Sequence, residues 1–299
     1  MKHLLVASDL SRRSVLAVAQ ALFLARRFGA SLTVLHVVDD ELPPAMFDTA
    51  RDQALSNLRA TVDALAGTAL ARVDVRVTGG LDFQAIGEAA EAEDAALIVL
   101  GAHRRSILKD VLTGTTVERV IRNTTRPVLV VHRPAPGDYA CTLAAVDLAE
   151  PEAEVVRVAS ELAGGHTLYL MHILNAAVAL QRKVAHPDGE EIARYRRSME
   201  EQARASLRRM AERAGLTAAD YLPVLEWDAV VPRILDAAQT FRADLGVVGT
   251  RTHAKGPVER FLLGSVAEDL LLNMPCDVLA VPLPDHAGSA GATAAAMPR

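Results

Sequence analysis

A chain of 299 residues that is 51% apolar is long enough for two ordinary domains and can bury a substantial core. Its formal charge of −5 is spread along the sequence, and Trp227 is its one Trp, so neither the basic face nor the aromatic platforms of a nucleic-acid binder are expected. The two cysteines, Cys141 and Cys276, lie in no CxxC and near no paired histidines, so no metal site is expected and a reduced, cytoplasmic protein is.

The apolar run at the start stops at Ser8 and Asp9. That is too short for a leader or a membrane span, and Leu4 to Ala7 reads as a strand. From Ser14 to Phe28, apolar Val15, Val18, Ala19, Leu22 and Ala25 recur at helical spacing. A strand over Leu32 to Val38 follows, then a helix with Leu55, Leu58, Val62 and Leu65 on one face. Val73 to Val77 reads as a strand and Phe83 to Ala92 as a helix. Ala96 to Leu100, a helix from Thr116, and Val128 to His132 complete the unit. Later in the chain, a long charged helix over Glu190 to Ala214 carries a stripe of Ile192, Tyr195, Met199, Ala203, Leu207 and Met210. Its Arg and Glu residues read as a solvated face with i,i+4 pairs.

The unit then recurs. HLLVASDLS is answered by TLAAVDLAE, SLTVLHVVD by HTLYLMHIL, AALIVLGAH by ADLGVVGTR, and TGTTVERVIRNTTRPVLVVHRP by LGSVAEDLLLNMPCDVLAVPLP, all in the same order. The chain is a tandem duplication with a period of roughly 140–150 residues. The expected division is 1–135 and 139–284, joined through the Pro-rich HRPAPGDY, with a low-complexity disordered tail over 285–299. Doubly buried strands separated by helices make each half an α/β unit, a doubly wound, five-stranded parallel sheet.

Ligands of such sheets bind beyond the carboxyl ends of the strands, where the strand order reverses. Asp9, Val37, Gly101 and Gly114 fall at strand ends, and Asp147, Ile173, Gly249 and Gly264 repeat them. Gly101 would let backbone N–H groups approach an anion, and Gly114 and Gly264 each precede an amphipathic helix whose N-terminus suits phosphate. Capping boxes of Thr115 with Glu118 and of Ser265 with Glu268 account for those helix starts without a ligand. Asp9 and Asp147 suit ribose hydroxyls or merely stabilise a turn. His36 and His172 read as structural. No Ser-His-Asp set, P-loop or GxGxxG motif is present, and no catalytic residue is assigned.

SDLS after the first strand, VLHVVD ending the second, LIVLGAH ending the fourth, and the closing TGTTVERVIRNTTRPVLVV and LGSVAEDLLLNMPCDVLAV carry a family resemblance. Both halves resemble universal stress protein domains, and the whole chain except its tail resembles a tandem member. The resemblance implies a Rossmann-like, adenine nucleotide alpha hydrolase-like fold. It also implies a non-catalytic, at most slowly hydrolysing, role in stress signalling with ATP or AMP bound, and Mg²⁺ accompanying ATP. The resemblance implies a first site in which the family's phosphate motif, G-x2-G-x9-G-[ST], supplies Gly101, Arg104, Gly114, Thr115 and Thr116, with Arg104 where a glycine is expected, and in which Asp9 and the Val37 backbone hold the adenosine. Asp147, Ile173, Gly249, Gly264 and Ser265 form a second, in which Thr252 replaces that glycine and the loop is longer, with Pro257 in it. The first keeps the spacing and is the better match. The alternative is a scaffold with degenerate pockets that acts through protein contacts. The family also implies that the fifth strands, Val128 to His132 and Val278 to Val281, pair the two halves within one chain, while an unprotected edge or face offers a homodimer surface.

Overall fold

Each short apolar run becomes a strand, and each amphipathic stretch between runs becomes a helix that returns the chain to the starting side of the sheet. The computed structural model describes residues 1–66, 72–102, 115–132, 137–148, 152–174, 189–251 and 264–283; the tail expected over 285–299 lies outside them. The first half runs β1 (His3–Ala7), α1 (Arg12–Phe28), β2 (Ser31–Val38), α2 (Pro44–Ala66), β3 (Val73–Gly79), α3 (Asp82–Ala92), β4 (Leu97–Gly101), α4 (Thr116–Asn123) and β5 (Val128–Val131). The second runs β6 (Cys141–Ala145), α5 (Ala153–Ala163), β7 (Thr167–Leu174), α6 (Gly189–Arg213), β8 (Leu222–Trp227), α7 (Val230–Thr240), β9 (Leu245–Arg251), α8 (Ser265–Asn273) and β10 (Asp277–Leu283).

All the strands belong to one ten-stranded sheet in the order β3-β2-β1-β4-β5-β10-β9-β6-β7-β8. Within each half every pairing is parallel. The halves meet where β5 and β10 run antiparallel, with Leu129 opposite Leu279. Alternate residues of the inner strands feed two cores, one on each face, and both cores run through both halves. On one face Leu4, Val6, Leu129 and Leu279 pack with Val18, Leu22 and Leu58 of the first half and Val156, Leu162 and Leu207 of the second. On the other, Leu5, Val130 and Val278 pack with Ile86 and Ile121 and with Ile234 and Leu270.

Side chains reinforce the seam. The Arg27 guanidinium, in the last turn of α1, donates to the Leu162 and Glu161 carbonyls at 2.7 and 3.3 Å, so it caps the end of α5 in the other half. The buried Tyr139 hydroxyl donates to Asp277 Oδ2 at 2.9 Å, and His132 N–H donates to Asp277 Oδ1 at 2.8 Å.

Helix α6 buries Ala203, Leu207 and Met210 of the expected stripe, while Ile192, Tyr195 and Met199 stay half-buried. Trp227 meets the interior of this helix, with Nε1–H donating to Glu200 at 2.8 Å and the Arg196 guanidinium 4.8 Å from the ring centroid. Among the described residues no helix is long and apolar enough to cross a membrane, and no cluster of three His, Cys, Asp or Glu side chains could hold a metal ion.

Candidate functional site

Strand order reverses between β1 and β4 in the first half and between β6 and β9 in the second. A cavity opens at the strand carboxyl ends beside each reversal, of 360 Å³ in the first half and 610 Å³ in the second. Both fall in the size range of small-molecule pockets. Leu35, Ile86 and Leu100 form part of the apolar floor of the first, and Met171, Ile234 and Val248 that of the second.

The turn after each first strand shapes the rim. In the first half Leu10 N–H donates to Ser8 Oγ at 3.2 Å and Ser11 N–H to Asp9 Oδ1 at 2.9 Å. Ser11 then caps α1 by accepting from the Arg13 and Ser14 N–H groups. Leu10 takes the left-handed conformation at φ 63°, and so does its counterpart Leu148 at φ 68°. A leucine there costs roughly 1–2 kcal/mol, and two halves share the cost at one position beside the cavity. Asp9 is exposed at the rim. Partial burial raises its pKa, but hydrogen bonds from the Ser11 side chain and N–H and from Ser14 outweigh that and leave it below the usual value.

The expected residues divide as follows. Asp9, Val37, Gly101 and Thr116 line the first cavity, and Asp147, Ile173, Gly249, Gly264 and Ser265 line the second. Arg104 and Gly114 lie outside the described residues, as do Thr252 and Pro257. Thr115 is buried as the N-cap of α4, where its side chain accepts from Glu118 N–H at 3.2 Å and Thr115 N–H donates back to the Glu118 carboxylate at 3.2 Å. The matching box of Ser265 with Glu268 does not form. Helix α8 starts one residue earlier in the shared motif, so Gly264 is its N-cap, Ser265 lies in its first turn, and no side chain caps it.

Gly101 answers a packing need. A Cβ there would lie 3.0 Å from the Arg13 carbonyl carbon and oxygen, so the missing side chain lets the first turn of α1 sit on the end of β4. Gly249 is likewise enclosed: a Cβ there would stand 2.8 Å from the Leu283 side chain and 3.3 Å from that of Val155.

Both histidines read as structural hold matched positions at the cavities. His36 Nδ1 is 2.7 Å from the Ser8 carbonyl oxygen, and His172 Nδ1 is 2.8 Å from that of Val146. A carbonyl only accepts, so Nδ1 carries the proton in the neutral ring and Nε2 is left as an acceptor at the pocket wall.

Among the lining residues that escaped the sequence reading, Arg13, Ser14, Glu152 and Asp82 carry polar chemistry. Arg13 brings a cation to the first cavity. Ser14, buried, accepts a hydrogen bond from Ser8 Oγ at 2.9 Å. In register with Ser14 the second half has Glu152, buried, whose carboxylate accepts from Asp147 N–H at 2.7 Å. Asp82, the first residue of α3, accepts from the Thr116 hydroxyl at 2.5 Å and from Arg119 at 3.0 Å. The counterparts of Asp82 and Thr116 are Val230 and Val266, so one half has a polar bridge where the other has an apolar pair. Sliding the two halves over one another, residue by residue, exposes these exchanges in the bare sequence.

A sequence profile described as the universal stress protein family matches residues 1–132 and again residues 141–282. A universal stress protein of Methanocaldococcus jannaschii is 28% identical over 145 residues, covering 44% of this chain and 83% of that protein. One of Thermus aquaticus is 31% identical over 134 residues, covering 44% of this chain and 98% of that protein. The crystal structure of a universal stress protein from Archaeoglobus fulgidus shares the fold at a TM-score of 0.63 and 19% identity, over 94% of this chain and 98% of that one.

Proposed function

The chain belongs to the universal stress protein family, and from that premise we propose that it is a non-catalytic adenine-nucleotide-binding protein of the cytoplasm, taking ATP or AMP in a stress-signalling role. Each of the units 1–135 and 139–284 carries one site. The observation that carries this reading is the pair of cavities at the two strand-order reversals, lined by matched Asp9 and Asp147, His36 and His172, and Val37 and Ile173. An adenine ring suits the apolar floors, a histidine Nε2 acceptor suits an amine or hydroxyl, and the rim aspartates suit a ribose. The phosphorylated end fits the first half better, where Arg13 and Thr116 supply a cation and a hydroxyl. No three-residue metal cluster exists among the described residues, so Mg²⁺ would arrive on the phosphates of ATP.

Calorimetry with AMP, ADP and ATP, together with mass spectrometry of the purified protein, tests the reading. Binding of at least one of them at or below about millimolar concentration is expected. If none binds and nothing co-purifies, the reading is lost.

One observation favours a second reading, a scaffold that works without nucleotide. Asp9, Thr115 and Thr116 already spend side-chain hydrogen bonds inside the protein. An adenine nucleotide retained through purification would count against it.

A further inference from the structure

The first cavity holds an anion of its own at the end where a phosphate would go. Asp82 Oδ2 accepts from the Thr116 hydroxyl at 2.5 Å and from Arg119 at 3.0 Å, and Asp82 Oδ1 accepts from Phe83 N–H at 2.7 Å. Arg119 is pinned further by its guanidinium standing 5.0 Å from the Phe83 ring centroid. Hydroxyl, guanidinium and helix N-terminus are the donors that proteins offer to phosphate. Here a carboxylate takes the first two, with its own N–H contact fixing it in place.

The second half is an internal comparison. It has Val230 in place of Asp82 and Val266 in place of Thr116, and its cavity is the larger. Acid and hydroxyl are present together in one half and replaced together in the other, as expected if they work as one unit.

We propose that Asp82 is the specificity-determining residue of the first cavity: it occupies Thr116 and Arg119 and so disfavours phosphorylated ligands relative to the unphosphorylated nucleoside. This rests on reading that cavity as a nucleotide site. A phosphate entering the first cavity displaces the Asp82 carboxylate from Thr116, which lines that cavity, takes over its hydroxyl, and frees Arg119 beside it. The displaced carboxylate stays on the rim as a like charge, and the ligand is weakened twice, by competition and by repulsion. Because Asp82 begins α3, its release also changes the contacts at the start of that helix when a phosphorylated ligand binds.

Asp82→Asn tests this with little risk to the fold, since an amide oxygen still accepts from Phe83 N–H and suits a helix start. Asp82→Ser, which also suits a helix start, removes both the charge and the reach to Thr116. Affinities for adenosine, AMP, ATP and inorganic phosphate are measured by calorimetry on the full chain. In both variants the affinity for AMP and ATP should rise about tenfold, the scale of removing one like charge from a partly exposed site, while adenosine is unchanged. Adding Thr116→Val should take back part of that gain, because the hydroxyl that the phosphate inherits is then missing. An AMP-to-adenosine ratio that stays the same or falls in both variants overturns the proposal and leaves the nucleotide reading standing. A gain for inorganic phosphate with no adenine compound bound by any form supports Asp82 as the anion gate and sinks the nucleotide reading instead.

Discussion

Gly101, which opens the motif in the first half, and Gly264, which closes it in the second, have opposite surroundings, and their substitutions should part accordingly. A methyl group on Gly101 would press on the backbone of Arg13, which cannot swing away as a side-chain tip can. Gly101→Ala should therefore destabilise the protein by about 1–3 kcal/mol, read from urea midpoints. Gly264 has extended backbone and nothing within 4 Å of a Cβ position, and it caps α8 with no side chain. Gly264→Ser should be neutral or stabilise by up to about 0.5 kcal/mol by adding the missing cap. If the two behave alike, the packing account of Gly101 fails. Asp9 makes a prediction in pH. Its folded pKa is lowered, so the ionised form stabilises the fold, fully above the ordinary carboxylate pKa and decreasingly as the pH falls through the folded value. The stability gap between wild type and Asp9→Ala should be the same at pH 7 and pH 5, to about the error of the measurement, and should narrow near about pH 3. A gap that widens in acid would show that Asp9 acts through something other than its charge.

At the scale of elements, the start of α4 and the start of α8 show how one motif yields two local structures. Thr115 and Glu118 exchange hydrogen bonds in a complete capping box. Thr115→Ala should cost about 1 kcal/mol, and Ser265→Ala, outside any cap, much less; thermal melts of the two variants decide it. The Gly, hydroxyl residue and Glu stand at the same local spacing in both halves, so the one-residue shift of α8 was not legible in that pattern. Strands β1, β2, β4, β5 and β10 were legible to within two residues, because apolar runs buried on both faces allow few other placements. The ends were harder. Helix α1 begins at Arg12 rather than at Ser14, since Ser11 supplies the cap. The bridge of Asp82 to Thr116 and Arg119 joins residues of different helices, and a pattern read along one helix does not contain it. The exchange of Ser14 for Glu152 was within reach, but only by comparing the repeats position by position.

For the whole molecule the decisive feature is that two parallel units become one mixed sheet. Its outer strands are guarded: β3 carries exposed Asp74 and Arg76, and β8 carries Pro223 and Glu226, residues that discourage further strand pairing. The inner edges, β5 and β10, are covered by each other. Neither half can open without stripping a strand partner from the other and exposing two cores that run through both. Chemical and thermal unfolding should therefore show one transition by every probe, and two resolved transitions in the wild type would sink this view. Tyr139 reports on the seam directly. Burial first, and the Asp277 charge second, hold its phenol pKa well above the usual value, so it remains a donor at any working pH. Tyr139→Phe leaves the ring packing intact and takes one donor from a buried carboxylate that also accepts from His132 N–H. The expected cost is about 2–3 kcal/mol. Because the seam belongs to both halves, that cost should move the single transition to lower denaturant without splitting it, and a variant that unfolds in two steps would overturn the one-transition view.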